Sequence, residues 1–241
     1  MVLTDDNFAT IAAAVEEGRS VFANLIKFIT WILPTNAGQG LVIIVAVMAA
    51  QPLPVLPVQA LWINMTTAVL LGLALAFEPK EPGIMGRPPR RPDAPILTGE
   101  LIFRIALVGV LLLIGSFGLF EWALERGASE AEARTIAINV FAVGQSFYLL
   151  NCRSLRYSIF RLGLWSNPWI WAGIAAMMSA QMLLTYLPVM NWLFHTAPIG
   201  LMDWVHILLV GLVIYLAIGV EKVWRLRRER HADVHPETLK T

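Results

Sequence analysis

At 241 residues, 57% hydrophobic and 15% charged, with mean hydropathy +0.66, the chain lacks the make-up of a soluble domain, where roughly a quarter of residues are charged. A formal net charge of +1 gives no sign of a nucleic-acid partner, and the single cysteine, Cys152, excludes an internal disulfide framework. The composition is that of a membrane protein.

Residues 1–23 are soluble in character. VLTDD reads as the end of a strand, Asp6 or Asn7 as a helix N-cap, and FATIAAAVEEGR as a good helix former. No breaker separates that helix from the first membrane span, so it forms a rigid stalk. The first residues do not read as a signal peptide.

Six apolar spans follow, near Asn24–Ala50, Leu56–Phe77, Leu101–Leu124, Ile136–Leu150, Pro168–Leu187 and Trp204–Val223. Each approaches the ~20 residues a bilayer requires, and the fourth is the shortest and most polar. The expected fold is all-α and membrane-embedded, with a short strand and helix stub ahead of six transmembrane helices. Residues 24–79 form a helix pair joined by a proline-rich turn. Residues 80–100 are an extended Pro/Arg-rich loop, 101–224 a four-helix support region, and 225–241 a tail in which the end of the last helix gives way to a polar, unstructured terminus. Every lysine and arginine except Arg126 and Arg134 falls on one side of this arrangement, from Arg19 and Lys27 to Lys240. The positive-inside rule then puts both termini in the cytoplasm, in a plasma or inner membrane. Trp192 and Phe194 are placed at the opposite interface.

The helix pair carries polar residues at mid-depth: Thr35, Asn36 and Gln39 on the first span, Asn64, Thr66 and Thr67 on the second. Polar side chains are costly in hydrocarbon and mark a functional site by default. Asn36 and Gln39 stand three apart, as do Asn64 and Thr67, so each pair is expected to share a helix face. Pro34, Gly38 and Gly40 allow unwinding, which would free carbonyl ligands, and the fourth span adds Asn139, Gln145 and Ser146. Amides of this kind also tie helices together. The clustering in adjacent spans favours a cation site made of Asn36, Gln39, Asn64, Thr67 and Gln145. No span carries Asp or Glu near its centre, and neutral oxygens suit a monovalent ion better than calcium, which enlists several carboxylates.

Other motifs carry less. His231 and His235 lie in the polar tail, His206 and His195 at a span end and in a loop, and Cys152 has no neighbouring base. Thr98 in Thr98-Gly99-Glu100 caps the helix that follows. No phosphate-cradling glycine loop, His-Glu-x-x-His or Cys-x-x-Cys is present.

MVLTDDNFATIAAAVEEGRSVFANLIKFITWILPTNAGQG resembles the junction of phosphorylation domain and fifth membrane helix in type II P-type cation-transporting ATPases of the calcium-pump kind. LPVQALWINMTTAVLLGLALAFEPKEPGIM resembles their sixth helix and the loop after it. The likeness is dense over the first ninety or so residues and continues as span pattern and topology. It implies that the spans are helices five to ten of such a pump, and that residues 1–23 are the end of its phosphorylation domain and stalk. It also implies ATP and Mg2+ in the complete pump, with none bound here. This chain has no Asp-Lys-Thr-Gly and should not hydrolyse ATP alone. The family's ion ligands fall on Asn36, Gln39, Asn64, Thr67, Ala68 and Gln145, and the residues at Gln39, Ala68 and Gln145 are acidic in similar calcium pumps. The implied partners are a cation, lipid and the N-terminal pump domains, in cis or trans. The alternative function is a free-standing, non-catalytic membrane protein: a conduit or a regulatory or split-pump subunit. A secondary transporter is disfavoured because no internal repeat is visible.

Overall fold

The computed structural model describes residues 7–86, 88–89, 95–155, 157 and 162–234, and among these every regular element is a helix. Helix α1 (Phe8–Met48) runs unbroken for 41 residues, with the Asn7 side chain accepting from the Ala9 amide at its start. At 1.5 Å per residue it is about 60 Å long, twice the thickness of a hydrocarbon core. No breaker separates its first turns from the first span, as the sequence predicts. The predicted strand and Asp6 lie outside the described residues.

The second span is compound. Helix α2 (Pro57–Thr67) passes into a π-helical turn (Ala68–Gly72) and then α3 (Leu73–Ala76). After a 3-10 turn (Ile84–Gly86) come α4 (Gly99–Glu125) and α5 (Glu130–Cys152). Helix α6 (Pro168–Tyr186) bends by 83° into α7 (Pro188–Phe194), and α8 (Leu201–Val234) completes the bundle. Five described helices are long and apolar enough to span a bilayer, or six if the bent pair counts as one. Thr98 caps α4 as expected, accepting from the Leu101 amide. The last helix continues past the apolar span into the tail, as far as Val234. His235 and Lys240 lie outside the described residues, as do Arg87, Arg90, Arg91, Arg156 and Arg161.

Helix α5 sits at the centre. Its most apolar window is 89% buried, against 33–39% for the other four single-helix spans, and its mean hydropathy of 1.3 is the lowest of the five. The polarity that makes this span faint in the sequence follows from that position. A helix surrounded by protein need not be apolar on every face, because its polar groups find partners instead of acyl chains. Helices α1 and α4 approach closely beside it, with Gly38 opposite Gly109 and Leu112.

Between α6 and the π turn the backbones nearly touch. A Cβ added at Gly173 would lie 2.2 Å from the Leu70 carbonyl oxygen, which belongs to a backbone that cannot swing aside. Gly173→Ala should therefore lower stability by about 1–3 kcal/mol through overpacking, read as a lower thermal midpoint in detergent. The matched change at open Gly118, inside α4, should hold or slightly raise the midpoint.

Candidate ion site

Pro34 lies inside α1, yet the helix is not unwound there. Proline has no N–H, so the carbonyl four residues earlier, that of Thr30, loses its helical donor. Tyr148 Oη on α5 takes that place, donating to the Thr30 oxygen at 2.6 Å, while Trp31 Nε1 donates to the Gln145 carbonyl at 3.1 Å. Thr35 Oγ1 donates back to the Trp31 and Ile32 carbonyls. Among the described residues, the departure from α-helical geometry falls on the second span, directly after Thr67 and beginning at Ala68.

The five candidate ligands divide by exposure. Gln39, Thr67 and Gln145 are buried; Asn36 and Asn64 are exposed. Three residues correspond to about 300° of helical turn, so each expected pair straddles the edge of its helix's buried face. Asn36 shares its open stripe with Leu33, Ile44 and Val47, and Asn64 shares its stripe with Leu61, Met65 and Val69. Gln39 Nε2 and both amide atoms of Gln145 have no hydrogen-bond partner, whereas Thr67 Oγ1 donates to the Ile63 carbonyl at 2.7 Å. The spare polar capacity thus lies on Gln39 and Gln145, and the donors available are amides, hydroxyls and carbonyls. Among the described residues no group of three His, Cys, Asp or Glu gathers as a metal site.

Full charges gather at one end of the bundle. Arg153 Nη2 lies 3.0 Å from Glu78 Oε1, with both side chains essentially unexposed, and Asn167 Nδ2 donates to Glu78 Oε2 at 2.8 Å. Lys27 pairs with Glu81 at 3.4 Å and donates to Asn24 Oδ1, while Asn24 Nδ2 donates to the Glu78 carbonyl. Arg104 pairs with Glu221, and Lys222 donates to the Asn151, Ser154 and Tyr157 carbonyls. The loop after α3 is thereby bound to α1, α5 and the start of α6. Further out, the Glu17 carboxylate beside Lys80 holds its ammonium above the ordinary lysine value. The opposite end carries Arg126, paired with Asp203, and Arg134, paired with Glu130.

The remaining sequence features resolve plainly. The His206 ring lies tilted against Trp122 at 4.7 Å, His195 is exposed beyond α7, and Cys152 is buried. The side chain of His231 lies outside the described residues. Trp192 is exposed as an interface residue should be, whereas Phe194 turns inward against Trp62 at 5.0 Å. Reading the sequence passes over Tyr148 and Gln181. The signal for Tyr148 was Pro34, whose orphaned carbonyl demands a donor; the signal for Gln181 was an amide inside an apolar span.

Residues 52–224 match the family described as "Cation transporting ATPase, C-terminus". The "Probable cation-transporting ATPase F" of Mycobacterium tuberculosis is 57% identical over 221 residues, covering 92% of this chain and 24% of the relative. The "Cation-transporting ATPase pma1" of Synechocystis is 41% identical, covering 87% of this chain and 24% of that protein. The "Calcium-transporting ATPase" of Bacillus subtilis is 32% identical, covering 86% and 23%. The sequence is thus that of the C-terminal region of a P-type cation-transporting ATPase, and the chain spans about a quarter of the length of these curated relatives. It belongs to the cation-transporting ATPase C-terminal family.

Tyr148→Phe removes the donor to Thr30 and leaves a buried carbonyl unpaired next to a proline. A loss of about 1–3 kcal/mol follows, measured by denaturant or thermal unfolding in detergent. Restoring an N–H with Pro34→Ala in the same chain should recover most of it.

Proposed function

We propose that this chain works as the transport region of an ATP-driven cation pump, with Asn36, Gln39, Asn64, Thr67 and Gln145 as oxygen donors to the ion. The observation that carries the reading is the exposure of Asn36 and Asn64 on otherwise apolar stripes of adjacent spans. An amide facing acyl chains is costly, so such a face calls for cover by further protein. Relatives about four times longer than this chain supply a source for that cover in the remainder of the pump. On this reading the ion site is completed between this chain and the N-terminal part of the pump, in cis or in trans. The phosphorylation and nucleotide domains, with ATP and Mg2+, lie in that part as well. The long α1 carries the movement of those domains to Gln39, and the paired charges around Glu78 hold the loop that meets it. Both termini face the cytoplasm, because the described basic residues cluster at that end apart from Arg126 and Arg134.

The cation is monovalent. Gln39, Ala68 and Gln145 provide no carboxylate, and Ala68 provides no side-chain oxygen at all. Dipoles without neutralising charge suit one positive charge better than two.

Reconstituting the full-length pump in proteoliposomes tests both statements. ATP-driven uptake should saturate with sodium or potassium, and Gln39→Leu and Gln145→Leu should each raise the half-saturating concentration at least about tenfold, ~1.4 kcal/mol. Saturable calcium uptake by the wild type overturns the monovalent reading. Unchanged ion dependence in both variants overturns the site.

A further inference from the structure

Helices α5 and α6 run antiparallel, joined by Asn139 Nδ2 donating to Thr185 Oγ1 at 3.0 Å. Along α6, Gly173 faces the Leu70 carbonyl of the π turn and Thr185 faces α5. At 100° per residue Gln181 falls between them, about 80° from the first direction and about 40° from the second. Its side chain therefore enters the seam between the compound second span and α5. Gln181 is 0% exposed, and neither its Nε2 nor its Oε1 has a hydrogen-bond partner. Asn139, also 0% exposed, has an unpartnered Oδ1. Ser146, two turns along α5 from Asn139 and on nearly the same face, donates to the Ala142 carbonyl and keeps its lone pairs.

Neutral polar groups continue from this point to the bend between α6 and α7. Asn139 Nδ2 donates to the Thr135 carbonyl, and Thr135 Oγ1 accepts from the partly exposed Ala197 amide. Asn191 Nδ2 donates to the Thr185 carbonyl and to Thr196 Oγ1. A file of amides and hydroxyls thus leads from a partly exposed loop into the bundle, and it ends on three unmet polar atoms.

We propose that Gln181 and Asn139 form a buried hydration site at the inner end of this file. One water can donate to Gln181 Oε1 and Asn139 Oδ1 and accept from Gln181 Nε2, within the two to four contacts of buried waters. A bare cation suits the place less well, since it meets few oxygens and repels the amide N–H groups. Solvent then reaches the interior on the side of α5 turned away from Tyr148, by a route separate from Gln39, Thr67 and Gln145. The site stands whether or not those three residues bind an ion.

The test uses the full-length protein in its own membranes, with silver ion as a water-sized thiol probe. The thiol of a Gln181→Cys variant should react at least about tenfold faster than that of Ala137→Cys, which is equally buried and stands two turns from Gly144 on the face that meets Leu112 of α4. Equal rates overturn the proposal. If Gln181→Cys does not accumulate, radiolytic hydroxyl labelling of the unaltered protein decides the matter. Buried Leu184, near the seam, should be oxidised at least about fivefold more than buried Leu112, which packs against α1 and α5. Equal labelling of the two leucines overturns it.

Discussion

A carbonyl freed inside a bilayer has no water to turn to, and this bundle is put together around that constraint. Pro34 strips a donor from Thr30, and a tyrosine from another helix replaces it. The same pattern recurs at each level. Ser116 donates to the Ala137 carbonyl, Asn151 to Tyr215, Asn167 to Ala74 and Gln59 to Phe194. Each bond satisfies a backbone group and also fixes one helix against another, so the neutral polar residues set the register that apolar packing alone would leave loose.

Helix α5 takes part in most of these bonds, and its position accounts for what could and could not be read from the sequence. The five obvious spans, the unbroken first helix and the Thr98 cap were legible because each depends on local composition or spacing. The true extent of α5 was less so: Thr135, Asn139, Gln145 and Ser146 dilute its hydropathy, and they are tolerated because the neighbouring helices meet them. The bend has a local cause in Pro188, which cannot continue the preceding helix, whereas the π turn after Thr67 lies where Gly173 lets another backbone come against Leu70, a contact no local pattern signals.

The candidate ligands were legible as residue types but not as a geometry. A spacing of three places two side chains on neighbouring strips of a helix, and packing decides whether the boundary of the buried face falls between them. Here it falls between Asn36 and Gln39, and again between Asn64 and Thr67. The full charges stand toward the ends of the helices, and their pairing across long stretches of sequence left no local trace. Glu78 and Arg153 are one such pair.

That last pair bears on how the chain can enter a membrane at all. Arg153 ends the least apolar span, and its guanidinium is held by Glu78 from the second span and by Ser166 just ahead of the fifth. Glu78 precedes Arg153 in the chain and Ser166 follows it, and until α6 is made Asn139 of α5 lacks its Thr185 partner as well. The set of partners around α5 is therefore complete only when a later segment of the same polypeptide is in place.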